Sequence, residues 1–222
     1  MPQAKQQTLY DLHTHCINPN TRDIYLHSHY TEDTEGSEPG VEYRQATTFI
    51  KNLQFLDQPQ YKPILVHIHS QGGNWDDGMA MFNSVQACQS YVTMLAYSQA
   101  SSMSGIILQS AHLRIMMPDC HFLMHHGWSG GGLIHPFGLK NEAEFQIRAT
   151  KRMLQIFAER AIVGPYFKNK KSTNKHSIYN FFDKKLKTEV DWYLNAEESV
   201  FYGLADYILG CETYPNVQSL RE

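Results

Sequence analysis

Long apolar runs are missing from this 222-residue chain, and no stretch approaches the ~20 consecutive apolar residues that span a bilayer. No membrane segment is therefore expected. Excess charge is missing too: net charge is −3 with histidines neutral, so nothing general draws the chain to nucleic acid or anionic lipid. The four cysteines (Cys16, Cys88, Cys120, Cys211) show no CxxC spacing and read as reduced structural thiols. Met1 to Tyr10 is polar, without the apolar core of a secretory signal, and the expected location is the cytoplasm. Internal repeats and low-complexity tracts are absent. What remains, 42% hydrophobic residues, suffices to bury one core, as a single domain or a domain with an appendage.

The pattern along the chain is an alternation. Residues 1–40 read as an irregular segment, with a possible short strand at Asp23 to Leu26 and an acidic loop from Thr31 to Gly40. Ala46, Phe49, Ile50, Leu53 and Leu56 share one face of a predicted helix. Pro63 to Ile68 is a nearly continuous apolar run entering Ser70-Gln71-Gly72-Gly73, which suits a parallel strand buried on both faces. A helix opens at Asp76-Asp77, where acidic residues complement the helix dipole. A strand (Tyr91 to Tyr97), a helix (Ser102 to His112) and strands at Leu113 to Met117 and His121 to His126 follow. This order implies an α/β core with parallel pairing. Beyond the glycine run Ser129 to Gly132 comes a long helix, about Asn141 to Ile162, with Phe145, Ala149, Met153, Ile156 and Phe157 on one face. Lys168 to Lys175 reads as a solvated loop. Helices near Ile178 to Leu186 and Ala196 to Tyr202, with apolar Leu204 to Leu209, close the chain.

The chemistry gathers at the strand ends. A hydroxyl attacks a carbonyl only if an imidazole removes its proton, a carboxylate orients that imidazole, and backbone N–H groups receive the oxyanion. Ser102 stands where a strand turns into a helix whose first N–H groups are free, with that of Met103 placed as one donor. Gly72 and Gly73, at the end of the preceding strand, let a substrate carbonyl approach the main chain. Neighbouring strand ends of a parallel sheet are where ligands bind.

Ser70-Gln71-Gly72-Gly73, Gly78-Met79-Ala80, Gln99-Ala100-Ser101-Ser102-Met103, Met117-Pro118 and Leu123-Met124-His125 resemble, in order and spacing, the proteolytic subunits of Clp proteases. The likeness covers roughly Ile64 to Leu209, most clearly Ile64 to His125. It implies the spiral of repeated β-β-α units shared with crotonases, with a protruding handle helix (region about 133–187 of a peptidase domain 41–222). It further implies a serine endopeptidase without metal or cofactor, acting on unfolded polypeptides. Copies would form stacked heptameric rings, a tetradecamer, fed by an AAA+ unfoldase. By the resemblance Ser102 is the nucleophile, His125 the base, Asp191 the triad carboxylate, and Gly73 and Met103 the oxyanion-hole residues. Tyr202-Gly203-Leu204-Ala205-Asp206 anchors the register around Asp191. The family usually has Pro where Gln71 stands, Gly where Ser104 stands, and Gln-Pro where His126-Gly127 stands. The Thr31 to Gly40 insertion lies near the expected entrance and ATPase-docking region.

Blander readings compete at each position. Ser101 and Ser104 suit capping or packing better than attack, and His126 points to the opposite strand face from His125 and His121. Asp119 and Asp206 suit turn caps or solvent. Asp11-Leu12-His13-Thr14-His15 looks like a metal-binding segment, but such enzymes need further ligands on a barrel of ~250 residues. His67-Ile68-His69 reads as strand. Crotonase-type acyl-CoA chemistry needs no Ser–His pair, whereas a catalytically silent ring subunit or a narrow-target capsid-maturation peptidase are the nearer alternatives.

Overall fold

The computed structural model describes residues 3–26, 40–127, 138–170 and 173–221. It opens with a helix rather than an irregular segment: α1 spans Gln3–His15, followed by the antiparallel strands β1 (Ile17–Asn18) and β2 (Asp23–Leu26). The helix has no apolar stripe to betray it, but Gln, Ala, Lys and Leu are good helix formers. The Asn52 side-chain amide donates to the His15 carbonyl at 2.6 Å and ties its end down. All of the acidic loop except Gly40 lies outside the described residues.

The alternating core follows as expected. Helix α2 (Tyr43–Leu56) starts where the Glu42 carboxylate accepts from the N–H groups of Arg44 and Gln45, and buries Ala46, Phe49, Leu53 and Leu56. Each large side chain so buried contributes roughly 1.5–3 kcal/mol. Next come β3 (Ile64–Ser70), α3 (Trp75–Ala87, capped by Asn74), β4 (Val92–Ser101), α4 (Met103–Leu108), β5 (Leu113–Met116) and β6 (His121–His125). Strand β3 is buried on both faces. Val66, Met94 and Ala96 face the main core, whereas Leu65, Leu95 and Ile115 pack beneath Leu209 and Leu220.

The sheet runs β1-β2-β3-β4-β5, and β4 divides it. Thr93 to Ala96 pair with β5, while Gln99 to Ser101 pair with β6, so β4 runs four residues past the predicted end at Tyr97. The small polar residues there look like a turn, and β6 supplies the partner that keeps them extended.

Helix α5 (Gly138–Ala161) is the long helix expected after the glycine run, whose own residues 129 to 132 are not described. Ala149, Met153, Ile156 and Phe157 of its predicted apolar face are buried in this chain, leaving Leu139 and Ile147 as its exposed large apolar residues. Short α6 (Pro165–Lys168) ends where the segment read as a loop begins, and α7 (Lys175–Glu189) starts where it ends, with an Asn174 capping box. Then β7 (Asp191–Leu194) pairs antiparallel with β6, α8 (Ala196–Phe201) follows, and β8 (Tyr207–Ile208) adds to β5. Phe167, Phe181, Phe182, Trp192 and Tyr202 stack edge-on or tilted between these elements.

Asp206 neither faces solvent nor merely caps a turn. Its carboxylate accepts from the Arg114 backbone at 2.8 Å and from the Arg114 guanidinium, which is 1% exposed and also donates to Gln109 and the Gly203 carbonyl. Removing one partner of such a buried pair strands the other charge, at a cost of roughly 3–5 kcal/mol. Asp206→Ala is accordingly expected to lose that much in urea unfolding, and a loss below about 1 kcal/mol would show that the guanidinium finds water instead.

Candidate active site

The site grows from the fork in β4. Because Ser101 pairs with Leu123, the chain emerges from β4 beside β6, and Ser102 turns directly into α4. That turn is tight. Ser102 has φ 53° and ψ −123°, a backbone conformation that side chains rarely adopt and that costs on the order of 1–3 kcal/mol. Its N–H donates to the Leu123 carbonyl at 2.9 Å, and its carbonyl accepts from Ile106 at 3.3 Å. A strained strand-to-helix turn of this kind lifts a hydroxyl clear of the sheet.

His125 ends β6, two residues beyond Leu123, and its Nε2 lies 2.7 Å from Ser102 Oγ. Its Nδ1 lies 3.5 Å from Asp191 Oδ1, within ion-pair range but longer than a good hydrogen bond. The antiparallel register of β6 and β7 places His125 opposite Asp191, so backbone pairing alone brings carboxylate to imidazole. With Nδ1 facing the carboxylate, the proton belongs on Nδ1 and leaves Nε2 to accept from the serine hydroxyl.

Gly73 and Met103 border the same cleft. Val41 forms a parallel bridge to Gly73, donating to the Gly72 carbonyl at 2.7 Å and accepting from Asn74 N at 2.8 Å. The N–H of Gly73 itself therefore points away from Val41. Met103 is the first residue of α4, where the N–H has no partner within the helix. Gly72 (φ 97°) must be glycine, since a Cβ there would lie 2.6 Å from the Ser101 carbonyl oxygen and 2.8 Å from Met103 N. Gly73, Met103, Ser102 and His125 all line one cleft of about 550 Å³. Ile106, Met153 and Phe157 form its apolar wall, and Glu142, Gln146 and Asp76 also border it.

The other candidates fall elsewhere. Ser104 is fully buried and donates to two carbonyls, and Ser101 Oγ lies 3.5 Å from His121 Nε2. Asp119 is exposed, and His126 lines the cleft beside His125. His13 and His15 sit two apart on helix α1, so their side chains diverge instead of sharing a strand face. His67 and His69 belong to β3, with His67 buried against Tyr25 and its Nδ1 2.9 Å from the Tyr97 hydroxyl. Burial pushes the Cys88 thiol up to about 11 and the Cys120 thiol up to about 12, so neither is a nucleophile at neutral pH. Two features of the site gave no sign in the sequence. Val41, which backs Gly73, sits in no recognisable strand pattern, and the backbone strain at Ser102 leaves no residue-type signature.

A strand-end serine paired with an imidazole, beside free N–H groups in a cleft, is the arrangement of a serine hydrolase. The particular kind follows from known proteins. The Clp protease family matches residues 37–212, most of the chain. This chain belongs to that family and is a Clp-type serine endopeptidase. It is 25% identical over 171 residues to the ATP-dependent Clp protease proteolytic subunit of Carsonella ruddii, covering 76% of this chain and 79% of the relative. It is 27% identical over 173 residues to the subunit of the same name from Streptococcus gordonii, covering 76% and 80%. Among solved structures, a single-site mutant of ClpP1 from Listeria monocytogenes superposes with a TM-score of 0.67 at 18% identity, over 91% of this chain and 96% of that one. The last likeness establishes the α/β Clp-type fold.

Burial is the largest influence on His125 and lowers its pKa, Asp191 acts against it, and nearby His126 lowers it further. The neutral imidazole that can accept a proton therefore persists below the ordinary histidine value of about 6.5. Labelling of Ser102 by an acylating probe is expected to be constant above that pH and to fall with a midpoint below it. Asp191→Asn, which removes the opposing charge, is expected to move the midpoint further down and to lower the plateau. A wild-type midpoint above about 6.5 would contradict this account of the imidazole.

Proposed function

We propose that Ser102, His125 and Asp191 act as a catalytic triad, with the N–H groups of Gly73 and Met103 as the oxyanion hole, to hydrolyse peptide bonds of unfolded polypeptides. The observation that carries this reading is the 2.7 Å contact between His125 Nε2 and Ser102 Oγ in the lining of the cleft. Ser102 Oγ attacks the scissile carbonyl while its proton passes to His125 Nε2. The tetrahedral oxyanion meets Gly73 and Met103 N–H, each such donor supporting about 3–4 kcal/mol of barrier lowering. Collapse breaks the C–N bond, and His125 returns the proton to the leaving amine. Water, deprotonated by the same imidazole, then releases the acyl group and regenerates the serine. Asp191 keeps the proton on Nδ1 and stabilises the imidazolium as it forms. Neither metal nor cofactor enters these steps.

The assembly is read from relatives. Both bacterial relatives are named proteolytic subunits of ATP-dependent Clp proteases, which supports association with an ATPase and an oligomeric assembly. We read the ATPase as an AAA+ unfoldase and the assembly as heptameric rings stacked in pairs. Exposed Leu139 and Ile147 on α5 suit burial between copies. No helix among the described residues is long and apolar enough to cross a membrane. Four free cysteines suit a reducing compartment such as the cytoplasm.

The test is hydrolysis of an unstructured protein such as casein and of short fluorogenic peptides, alongside sedimentation of the same preparation. Wild type is expected to cut both as a ring-sized assembly, and Ser102→Ala to lose at least about 10³-fold of the rate without disassembling. Undiminished hydrolysis by Ser102→Ala would overturn the nucleophile, and an active monodisperse monomer would overturn the ring.

A further inference from the structure

One hydroxyl close to the site makes bonds that the mechanism above does not use. Ser104, at the second position of α4, is fully buried, and its Oγ lies 2.7 Å from the carbonyl oxygen of Ser70 and 2.7 Å from that of Ser101. A hydroxyl has one proton to give, so it is shared between two carbonyls at the ends of β3 and β4. Both strand ends carry parts of the site. Ser70 precedes the Gly72-Gly73 turn, and its own Oγ accepts from Gly72 N at 3.2 Å. The Ser101 carbonyl belongs to the peptide group that leads into Ser102.

That peptide group is held at both ends. Its N–H, on Ser102, donates to Leu123 of β6, and its carbonyl, on Ser101, accepts from Ser104. The orientation of this peptide plane about Ser102 Cα is what φ measures, and φ here is the strained +53°. Pairing between β3 and β4 shifts register between Ile68 and Ser70 and resumes with the single pair Ser70–Ala100, the last pair of the two strands before the site. The serine hydroxyl adds a second bridge just beyond that last pair, from the carbonyl of Ser70 to that of Ser101. No slack is available nearby, because a Cβ at Gly105 would meet Phe122 at 2.8 Å and the Ala100 carbonyl at 2.9 Å.

We infer that Ser104 is a positioning residue for this peptidase: its shared hydroxyl proton locks the Ser101–Ser102 peptide plane to the oxyanion strand, fixing Ser102 Oγ relative to Gly73 N–H. This rests on Ser102 being the nucleophile. Ser104 never touches substrate and acts only through the carbonyls of Ser70 and Ser101. Its effect falls on attack geometry and leaves the cleft that binds the chain untouched. The charge environment of His125 is likewise untouched, so the pH dependence stays put.

The experiment compares wild type with Ser104→Ala and Ser104→Cys, the latter keeping the volume and a weak donor. Competent sites are counted by stoichiometric fluorophosphonate labelling, and kcat is expressed per labelled serine, so that any misfolded fraction drops out. Ser104→Ala is expected to lose about 10- to 100-fold in kcat per site, with KM within two-fold and the pH midpoint unmoved. Ser104→Cys is expected to fall between. Wild-type kcat per site in Ser104→Ala, even with a lowered Tm, would overturn the inference by showing a purely structural hydroxyl. Absence of wild-type labelling at Ser102 would instead remove the reading on which it rests.

Discussion

The left-handed turn at Ser102 is the constraint on which the rest of the structure converges. A serine does not hold φ +53° unassisted, so the surroundings must over-determine it. Three strands do so. β4 delivers the residue, β6 accepts its N–H through the Leu123 carbonyl, and the turn leaving β3 crowds it with Gly72, where a side chain has no room. The hydroxyl that results sits at a strand end, beside a helix start, in the lining of a cleft. Strain in the backbone thus becomes exposure of one oxygen, and the folding energy of a large buried core supplies what the turn costs.

The fork in β4 explains why an imidazole and a carboxylate arrive at the same place. A strand of ordinary length would pair with β5 and stop near Tyr97. Running on to Ser101, it recruits β6 at its second half, and β6 recruits β7 antiparallel. Each added strand brings one side chain by register alone, His125 from β6 and Asp191 from β7. The looser 3.5 Å separation of these two leaves the aspartate half in solvent, whereas the serine contact is tight. Burial and the carboxylate pull the imidazole in opposite directions, and burial prevails.

Much of this was legible in the amino-acid order because buried parallel strands and amphipathic helices write their burial in residue type. The run Ile64 to Ile68 is apolar except for His67 because a hydrophobic cluster lies on either side of it. Ser70 to Gly73 and Gln99 to Met103 carry the family likeness because backbone geometry there tolerates few residues. Features held by polar contacts left no such trace. Helix α1 has no apolar stripe, the extension of β4 past Tyr97 depends on a distant partner, and the pairing of Asp206 with Arg114 spans ninety-two residues. The apolar face of α5 was visible, but not that it packs onto Phe122 and Phe182 of its own chain.

The central claim is that Ser102 is an activated nucleophile and that His125 activates it. The most direct measurement is reaction of the intact protein with a fluorophosphonate probe, the adduct located by peptide mass spectrometry, in wild type and His125→Ala. The account predicts a single adduct on Ser102 that forms readily in wild type and at least about 10³-fold more slowly without the imidazole. An adduct on another residue, or equal rates in the two proteins, would contradict it.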